Sequence, residues 1–250
     1  MKQKYTPGAS VDSTSNGFRL AIPDGDNRSY RLAQHDDYAQ SARKEFAHRP
    51  SRSLNLRARA SADSLPGTWG FGLWNDPFGL SLGFGGNPFR IPALPNAIWF
   101  FHASQENYLS FGKKPGNGLL AQVFRSPQLR FPVFPLKTLG RLARVGVTLP
   151  FSRVKARALM SEIVEEDGVR LGVDATEWHA YRFEWSEKRS AFWVDETLVL
   201  ETSVSPRPPL GLVIWIDNQY AAFTPGGKIG FGILENTKPA WLEIENLELS

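Results

Sequence analysis

Short segments in which apolar and polar residues alternate, separated by turn-forming residues, recur along most of this chain. Leu54–Ala60 is the clearest case, because its Leu and Ala side chains fall on one face of an extended chain while Asn and Arg fall on the other. Phe18–Ile22 is followed at once by the turn-forming run Pro-Asp-Gly-Asp-Asn. This pattern predicts a mainly β sandwich or barrel rather than alternating strands and helices.

Further strand candidates follow at the spacing expected of a sandwich. They are Trp69–Asn75, Ile98–Phe101, Trp178–Trp185, Ala191–Val194, Leu198–Thr202, Leu210–Ile216, Lys228–Leu234 and Trp241–Leu249. One region departs from the pattern, because Leu139–Val147 and Val154–Glu166 contain good helix formers with apolar residues near helical spacing. Pro150 separates the two segments. The prediction is a mainly β fold with a short helical insertion.

The domain organisation follows from periodicity and length. Residues 1–17 are rich in Ser, Thr, Gly and Lys without periodicity, which predicts a loose N-terminal tail. Residues 18–250 are predicted to form a single domain, since all-β sandwiches reach this size around one core. The content of 42% hydrophobic and 22% charged residues is typical of a globular domain rather than a disordered or fibrous chain.

The composition of the chain excludes some kinds of functional site and predicts the compartment in which the protein is found. The chain has no cysteine, which excludes disulfides, thiolate metal sites and a cysteine nucleophile. Its first residues are polar, and no segment approaches the uninterrupted apolar length of a membrane-spanning helix. We therefore expect a soluble, cytoplasmic protein that has no membrane partner.

The charge is unevenly distributed. Residues 116–160 carry eight Arg or Lys and no acidic residue, whereas residues 161–250 carry seven basic and sixteen acidic residues. The simpler interpretation is that the two parts lie side by side and attract each other, with a modest gain per exposed pair. An alternative is an interaction protein that binds an acidic partner through its basic 125–157 segment. Nucleic acid is not an expected partner, because the aromatic residues lie mostly outside this segment.

Two stretches carry a resemblance to a known family. Leu54–Trp74 contains Leu-Asn-Leu-Arg-Ala-Arg-Ala and then Pro-Gly-Thr-Trp-Gly-Phe-Gly-Leu-Trp, and Trp178–Trp185 reads Trp-His-Ala-Tyr-Arg-Phe-Glu-Trp before Ala191-Phe-Trp-Val-Asp-Glu. With a closing strand at Trp241–Leu249, they resemble the laminarinase-like family 16 glycoside hydrolases of the concanavalin A-like jelly-roll superfamily. The resemblance implies an antiparallel jelly-roll β-sandwich. Glu196 stands where that family has Gly after the turn Asp.

The catalytic strand of that family has no counterpart here. Its retaining chemistry needs two carboxylates about 5 Å apart, supplied by a Glu-x-Asp-x-(x)-Glu motif after the strand that corresponds to Trp69–Trp74. The segment at that place, Asn96–Leu109, contains only Glu106 as a carboxylate. The acidic run at 162–167 belongs to the predicted helix and is interpreted as a solvated face. Asp76, Glu106 and Asp217 remain as weak catalytic candidates.

Other enzyme templates are also missing. The sequence has no Gly-rich phosphate loop, no His pair at metal-ligand spacing and no Gly-x-Ser-x-Gly elbow. We expect no cofactor and no metal site. His179 belongs to the strand motif, where a packing role is the simpler interpretation.

Aromatic residues beside polar ones point to a binding site. Alternation along Leu210–Tyr220 places Val213, Trp215, Asp217 and Gln219 on one side and the aliphatic residues on the core side. Aromatic faces beside amides and carboxylates suit a sugar ring or a small polar-apolar ligand. The predicted ligand-binding residues are Trp74, Asp76, His102, Glu106, Trp215, Asp217, Asn218, Gln219 and Tyr220.

Two functional hypotheses follow from these residues. The first is a non-hydrolytic jelly-roll protein that binds a carbohydrate-like or small aromatic or hydrophobic ligand in a concave cleft. The second is an enzyme acting on a glycan or a small hydrophobic substrate through Asp76, Glu106 or Asp217, with the substrate enclosed by Phe71, Phe101 and Tyr220. The second requires the three carboxylates to share a cleft.

Overall fold

The computed structural model describes residues 1–77, 93–127 and 150–250. Within these ranges the chain forms sixteen strands, one α-helix and a short 3-10 helix at Arg43–Glu45. The strands are β1 (Lys2–Tyr5), β2 (Ser10–Ser13), β3 (Gly17–Ile22), β4 (Leu32–Asp36), β5 (Arg52–Ala60), β6 (Thr68–Trp74), β7 (Ala97–Ala103), β8 (Gly118–Arg125), β9 (Glu165–Arg170), β10 (His179–Trp185), β11 (Ser190–Val194), β12 (Thr197–Thr202), β13 (Gly211–Asp217), β14 (Gln219–Phe223), β15 (Ile229–Ile233) and β16 (Ala240–Leu249). The helix α1 spans Pro150–Ile163.

Fourteen of the strands form two antiparallel sheets of seven. Sheet A has the order β1-β4-β13-β6-β7-β8-β9, and sheet B has the order β12-β11-β10-β5-β16-β3-β2. The hairpin β14–β15 forms a separate two-stranded sheet directly after β13. Six of the twelve neighbouring pairs in these sheets join strands that are not consecutive along the chain, as the long crossing connections of a jelly roll require. The predicted antiparallel jelly-roll sandwich is confirmed.

The sandwich core lies between the inner faces of sheets A and B. Alternate residues of the strands supply it, as Trp69, Phe71 and Leu73 do from β6. A second apolar cluster lies on the outer face of sheet A and includes Trp99 and Trp215. Sheet A is therefore apolar on both faces, unlike a half-solvated antiparallel sheet. The outer face of sheet A is therefore the candidate location of a ligand-binding site.

The N-terminal residues differ from the expected loose tail. β1 pairs with β4 at the edge of sheet A, and β2 pairs with β3 at the edge of sheet B. Neither strand has a strong alternation of its own. Pairing with a neighbouring strand satisfies their backbone groups and orders them, which local composition does not reveal.

The predicted helical region is partly wrong. Leu139–Val147 lies outside the described residues. The second helix ends at Ile163, and Glu165–Arg170 forms strand β9 against β8 instead of continuing the helix. Where β8 pairs with β9, the Arg125 guanidinium of β8 lies 3.7 Å from the Glu165 carboxylate of β9. One residue of the basic segment therefore contacts the acidic C-terminal part.

The β10–β11–β12 meander explains the Trp-His-x-Tyr motif. His179 Nδ1 lies 2.6 Å from Asp195 Oδ2, and the Asp195 carboxylate also accepts a hydrogen bond from the Ala180 amide. Asp195 and Glu196 both have positive φ, 47° and 66°, so the turn keeps the primed geometry that a two-residue hairpin favours. The structure thus retains the turn although Glu replaces Gly. The role of His179 is to hold this hairpin.

In the part of the chain that the structure describes, no helix has the length and apolar character needed to cross a membrane.

Candidate functional site

The outer face of sheet A carries a continuous aromatic surface. It is formed by residues that alternate with the core residues on β6, β7, β8 and β13, together with the segment after β4. We call this set the aromatic face: Tyr38, Trp74, Trp99, Phe101, Phe124 and Trp215. The predicted division of β13 is confirmed, because Val213 and Trp215 belong to this side whereas the aliphatic residues between them belong to the sandwich core.

Trp215 is the centre of the aromatic face. Its ring lies parallel to that of Trp74, with centroids 6.0 Å apart and an interplanar angle of 7°. The rings of Trp99 and Phe101 each lie 5.7 Å from it. Such offset arrangements add stabilisation beyond the area that the rings bury. Trp99 and Trp215 are buried, whereas Trp74 retains partial exposure at one end.

Two glycines of β6 make room for these rings. Gly70 and Gly72 occupy outward positions, because Trp69, Phe71 and Leu73 point into the core. A Cβ atom at Gly70 would lie 2.9 Å from the Trp215 ring and 2.6 Å from the Phe100 carbonyl oxygen. The Gly-Phe-Gly sequence therefore lets the large rings lie close to the sheet backbone. The alternation along the strand shows that these glycines occupy outward positions. It does not show that their missing side chains leave room for the tryptophan rings.

A hydrogen-bonded chain fixes the other end of the aromatic face. Trp215 Nε1 donates to Thr68 Oγ1 at 2.9 Å, and the Thr68 hydroxyl donates to Asp217 Oδ1 at 2.7 Å. The Tyr30 hydroxyl donates to Asp217 Oδ2 at 3.2 Å. Because Thr68 and Asp217 are register partners on adjacent strands, the network follows directly from the sheet. It locks the indole orientation.

Asp217 is a buried carboxylate without a cationic partner among the described residues. Burial raises its pKa to about 6, although hydrogen bonds from Thr68, the Gln219 amide and Tyr30 act in the opposite direction. Burial, reinforced by the Asp217 charge, also raises the pKa of the Tyr30 hydroxyl. The Asp217 carboxylate is therefore stabilised by the neutral hydroxyl groups of Tyr30 and Thr68 rather than by a cation.

The remaining predicted site residues lie in different places. Asn218 is fully buried and acts as a structural link, because its side chain bonds the Arg31 amide and the Ser29 and Leu234 carbonyls. Gln219 and Tyr220 begin the β14–β15 hairpin and are half-buried. Tyr220 lies against Gly232 rather than against the rings of the aromatic face.

His102 does not join the aromatic face. It points into the sandwich and stacks on Trp69, with centroids 5.5 Å apart, and burial lowers its pKa to about 4. Strand alternation explains this position, because successive residues of a strand point to opposite faces. Phe101, two residues after Trp99, shares its face, whereas His102, three residues after Trp99, points to the core. The pairing of His102 with Glu106 is wrong: Glu106 lies in the exposed turn after β7. Phe71 also belongs to the core rather than to a substrate enclosure.

The three candidate carboxylates do not share a cleft. Asp217 lies at the end of β13 that pairs with Thr68, whereas Asp76 follows the opposite end of β6. Asp76 is buried with φ of 47°, and Arg43 donates to its carbonyl and to that of Asn75. Eight residues of extended chain separate the two ends by roughly 26 Å. Glu106 is solvent-exposed near the Asp217 end.

Arg157 and Glu166 anchor the segments next to the aromatic face, and neither role is evident from the sequence pattern. Glu166 accepts hydrogen bonds from Ser110 Oγ, the Phe111 amide and the Gly112 amide. Arg157, on α1, is buried and donates to the carbonyls of Phe223 and Gly112. Together they join α1, β9, the 110–112 segment and the β14–β15 hairpin. The acidic run thus contributes a structural anchor rather than a wholly solvated face.

The structure describes only part of the basic segment. Arg130, Lys137, Arg141 and Arg144 lie outside the described residues. Across 1–77, 93–127 and 150–250, no three His, Asp or Glu side chains are grouped as they would be around a metal ion.

Comparison with known proteins shows the fold. No family model matches the sequence, and no curated protein is similar to it. Among solved structures, the legume lectin-like domain from Entamoeba histolytica is similar with a TM-score of 0.50 and 11% identity, over 99% of this chain and 89% of that one. LamAcat from Zobellia galactanivorans is similar with a TM-score of 0.48 and 14% identity, over 94% of this chain and 78% of that one. The chain has the concanavalin A-like jelly-roll fold that its sequence motifs predicted.

Proposed function

We propose that this protein binds a neutral carbohydrate on the aromatic face of sheet A without hydrolysing it. The observation that carries the proposal is the contiguous set of Trp74, Trp99, Trp215 and Phe101 rings on the outer face. Apolar C–H faces of sugars stack on such rings. The lectin-like structural neighbour supports a carbohydrate-related role in general.

The positions of the carboxylates favour binding over cleavage. The outward residues of β7 are Ala97, Trp99, Phe101 and Ala103, at the place where the glycoside hydrolases that the sequence resembles would carry their acids. On the described outer face, Asp36 and Asp217 belong to adjacent strands β4 and β13, but their register positions differ by four residues, or about 13 Å. Glycosidase carboxylates lie about 5 to 9.5 Å apart. Asp36 is also committed to the amides of Tyr38 and Ala39.

The charge of the face favours an uncharged ligand. On the five central strands β4, β13, β6, β7 and β8, no outward position carries Lys or Arg. Cations occur on the edge strands, where Arg170 is bound to Asn117. An anionic sugar would lie over the buried carboxylates of Asp36 and Asp217 without a neighbouring cation on these strands. A neutral hexose oligomer meets no such penalty.

The accessible part of the site is at its two ends. Trp74 is half-buried at one end, and Tyr30 and Gln219 are half-buried at the other. The buried rings of Trp99 and Trp215 form the support between them. In this arrangement Trp74 provides the stacking surface, while the Tyr30 and Gln219 end provides hydrogen-bonding groups.

A thermal-shift screen against neutral gluco-, manno- and galacto-oligosaccharides tests the proposal, with sialylated and uronic oligosaccharides as anionic comparators. A ligand that binds only the folded protein raises its melting temperature. We expect at least one neutral oligomer to raise it, and the rise to disappear in Trp74→Ala. If only anionic oligomers act, or if Trp74→Ala responds like the wild type, the proposal is wrong.

A further inference from the structure

The hairpin β14–β15 has one covered edge and one open edge. On the β14 side, the Tyr108 amide donates to the Ala221 carbonyl at 3.0 Å, and the Phe223 amide donates to the Tyr108 carbonyl at 3.2 Å. Among the residues that the structure describes, β15 pairs with β14 alone. The two-stranded sheet therefore ends at the free edge of β15.

Alternation decides which backbone groups of β15 face this open edge. The amide of Leu234, which directly follows β15, donates to the Asn218 carbonyl on the β14 side at 2.7 Å. Successive residues of a strand direct their N–H and C=O groups to opposite edges, so the even-numbered residues of β15 also face β14. The odd-numbered residues direct these groups to the open edge: Ile229, Phe231 and Ile233.

The side chains along the open edge are apolar and accessible. Phe231 is 53% exposed and Ile229 is 39% exposed. The other face of the strand carries only Gly230 and Gly232, and a Cβ atom at Gly232 would lie 2.9 Å from the Tyr220 ring. Tyr220 thus covers one face of β15, whereas the isoleucine and phenylalanine side chains leave the opposite face apolar.

The edge strands of the two large sheets are protected by charge, and β15 is not. Among the described strands, β1 carries two lysines, β2 an aspartate, β9 three acids and an arginine, and β12 a glutamate. Charged side chains on an edge strand oppose pairing with another chain. Since Ile229–Ile233 contains no charged residue and no proline, it is the edge most open to such pairing.

The sequence of β15 reads the same in both directions, Ile-Gly-Phe-Gly-Ile. If two copies pair in antiparallel fashion about a two-fold axis at Phe231, each Phe231 lies opposite the other, and Ile229 lies opposite Ile233 of the second copy. These are the residues whose backbone groups face the open edge, so each pair exchanges two hydrogen bonds. The apolar side chains also meet on one face, where cross-strand aromatic and β-branched pairs are stabilising.

The charges that flank β15 are compatible with this register. Lys228 immediately precedes the strand, and Glu235 follows it closely. Antiparallel pairing therefore brings the lysine end of one copy beside the glutamate end of the other. No like charges lie opposite each other, which would be destabilising.

We propose that this protein forms a symmetric dimer in which the β15 strands of two copies pair through their open edges. The product is a four-stranded antiparallel sheet, and it ends there because Tyr108 covers the far edge of each β14. A five-residue pairing buries less than the roughly 800 Å² per partner of a standard stable interface, so the dimer is weak and concentration-dependent. It does not depend on carbohydrate binding by the aromatic face.

Analytical ultracentrifugation of the full chain tests the dimer, from about 1 µM to about 1 mM, the range in which small interfaces associate. We expect the weight-average mass to rise with concentration from the monomer mass of 28.0 kDa toward twice that value. A chain that stays monomeric over the whole range, or that grows beyond two copies, overturns the proposal.

A matched pair of lysine variants locates the interface. Phe231→Lys places two like charges against each other at the two-fold axis, whereas Leu198→Lys makes the same change at a 48% exposed site on the edge strand β12. We expect Phe231→Lys to weaken association at least tenfold and Leu198→Lys to leave it unchanged. Equal effects of the two variants, or a loss in Leu198→Lys alone, would contradict pairing through β15.

A proline variant separates backbone pairing from simple contact between apolar side chains. The Ile233 amide faces the open edge, so Ile233→Pro removes no hydrogen bond within the hairpin but does remove a donor to the second copy. Ile233→Ala is the control for the lost side chain. We expect Ile233→Pro to associate at least tenfold more weakly than Ile233→Ala. Equal association of the two variants rules out pairing of the strand edges.

If Ile233→Pro does not fold, amide hydrogen exchange of the wild type decides the matter. We expect the amides of Ile229, Phe231 and Ile233 to exchange more slowly as the protein concentration rises, because they become hydrogen-bonded only in the dimer. The amides of Gly230 and Gly232, which face β14, are expected to change little. No slowing at the three odd-numbered residues would overturn the proposal.

Discussion

The outer faces of the two sheets each present three tryptophans, but the two faces use them differently. On sheet A, Trp74, Trp99 and Trp215 contact one another directly. On sheet B, each indole lies beneath an arginine: Arg182 stacks on Trp193 at 4.3 Å, Arg19 and Arg59 stack on Trp241, and Arg57 and Arg59 stack on Trp178. The protein's own cations therefore occupy the ring faces on sheet B.

The acids on the two faces differ in the same way. Glu243 of sheet B lies between Arg19 and Arg59, at 2.6 and 2.7 Å. Asp217 of sheet A is held by neutral hydroxyls. Sheet B thus resembles a solvated protein surface in which charges and rings satisfy one another. The outer face of sheet A keeps an apolar surface whose central strands carry no outward Lys or Arg, and this difference is why we assign the ligand to sheet A.

Truncating one tryptophan on each face tests the comparison with the largest expected effect. Trp215→Ala removes a buried ring that three other rings contact, so we expect a loss of about 3 to 5 kcal/mol in the free energy of unfolding. Trp193→Ala removes a half-buried ring and is expected to cost roughly 1 kcal/mol. Urea unfolding of both variants measures the difference. Similar losses would show that the two faces are packed alike.

The pH dependence of stability separates the two acids. The unfolded Asp217 carboxyl ionises near 3.8, whereas in the folded state burial raises its pKa to about 6. The folded state therefore binds the proton more tightly, and stability falls as pH rises from about 4 to 6, by roughly 3 kcal/mol. Asp217→Asn must lack this fall. If the variant and the wild type have parallel profiles from pH 4 to 7, Asp217 is not a buried, cation-free acid.

Glu243 is expected to show the opposite trend with a smaller effect. Burial raises its pKa, but hydrogen bonds and charges from Arg59 and Arg19 outweigh burial and hold the pKa below the usual value. Its contribution is present above pH 4.5 and is lost as pH falls through the lowered pKa. We expect Glu243→Gln to cost about 2 kcal/mol at pH 7 and progressively less in acid. Chemical unfolding at several pH values provides the check.

The smallest effect is expected at the β11–β12 turn of sheet B. Glu196 adopts φ of 66°, a left-handed conformation that costs a non-glycine residue about 1 kcal/mol. Glu196→Gly is therefore expected to raise the free energy of unfolding by about that amount. Glu187→Gly, an exposed site in the preceding turn, serves as the control and is expected to bring no gain. A destabilised Glu196→Gly would mean that its side chain makes a contact worth more than the strain.

The features that could be predicted from the sequence are those that depend on the alternation of side chains along a strand. The division of Leu210–Asp217 into core and outer residues follows from alternation alone, and it is confirmed. The motif at 178–196 predicted the hairpin that His179 and Asp195 hold. The pairing of β1 and β2 was missed, because an edge strand depends on its partner more than on its own residues.

The parts of the site that could not be predicted depend on three-dimensional partners. Asn218 looks like a ligand-binding amide in sequence, yet it bonds three backbone groups. Glu166 belongs to an acidic run that resembles a solvated helix, yet it holds the 110–112 segment.

The central claim is that a sugar stacks on sheet A and not on sheet B, and isothermal titration calorimetry tests it most directly. The neutral oligosaccharide that gives the largest thermal shift is titrated into the wild type, Trp74→Ala and Trp193→Ala, each shown to be folded. We predict that Trp74→Ala weakens binding at least tenfold and that Trp193→Ala leaves it unchanged. Loss of binding in Trp193→Ala with full binding in Trp74→Ala would contradict the assignment of the ligand to sheet A.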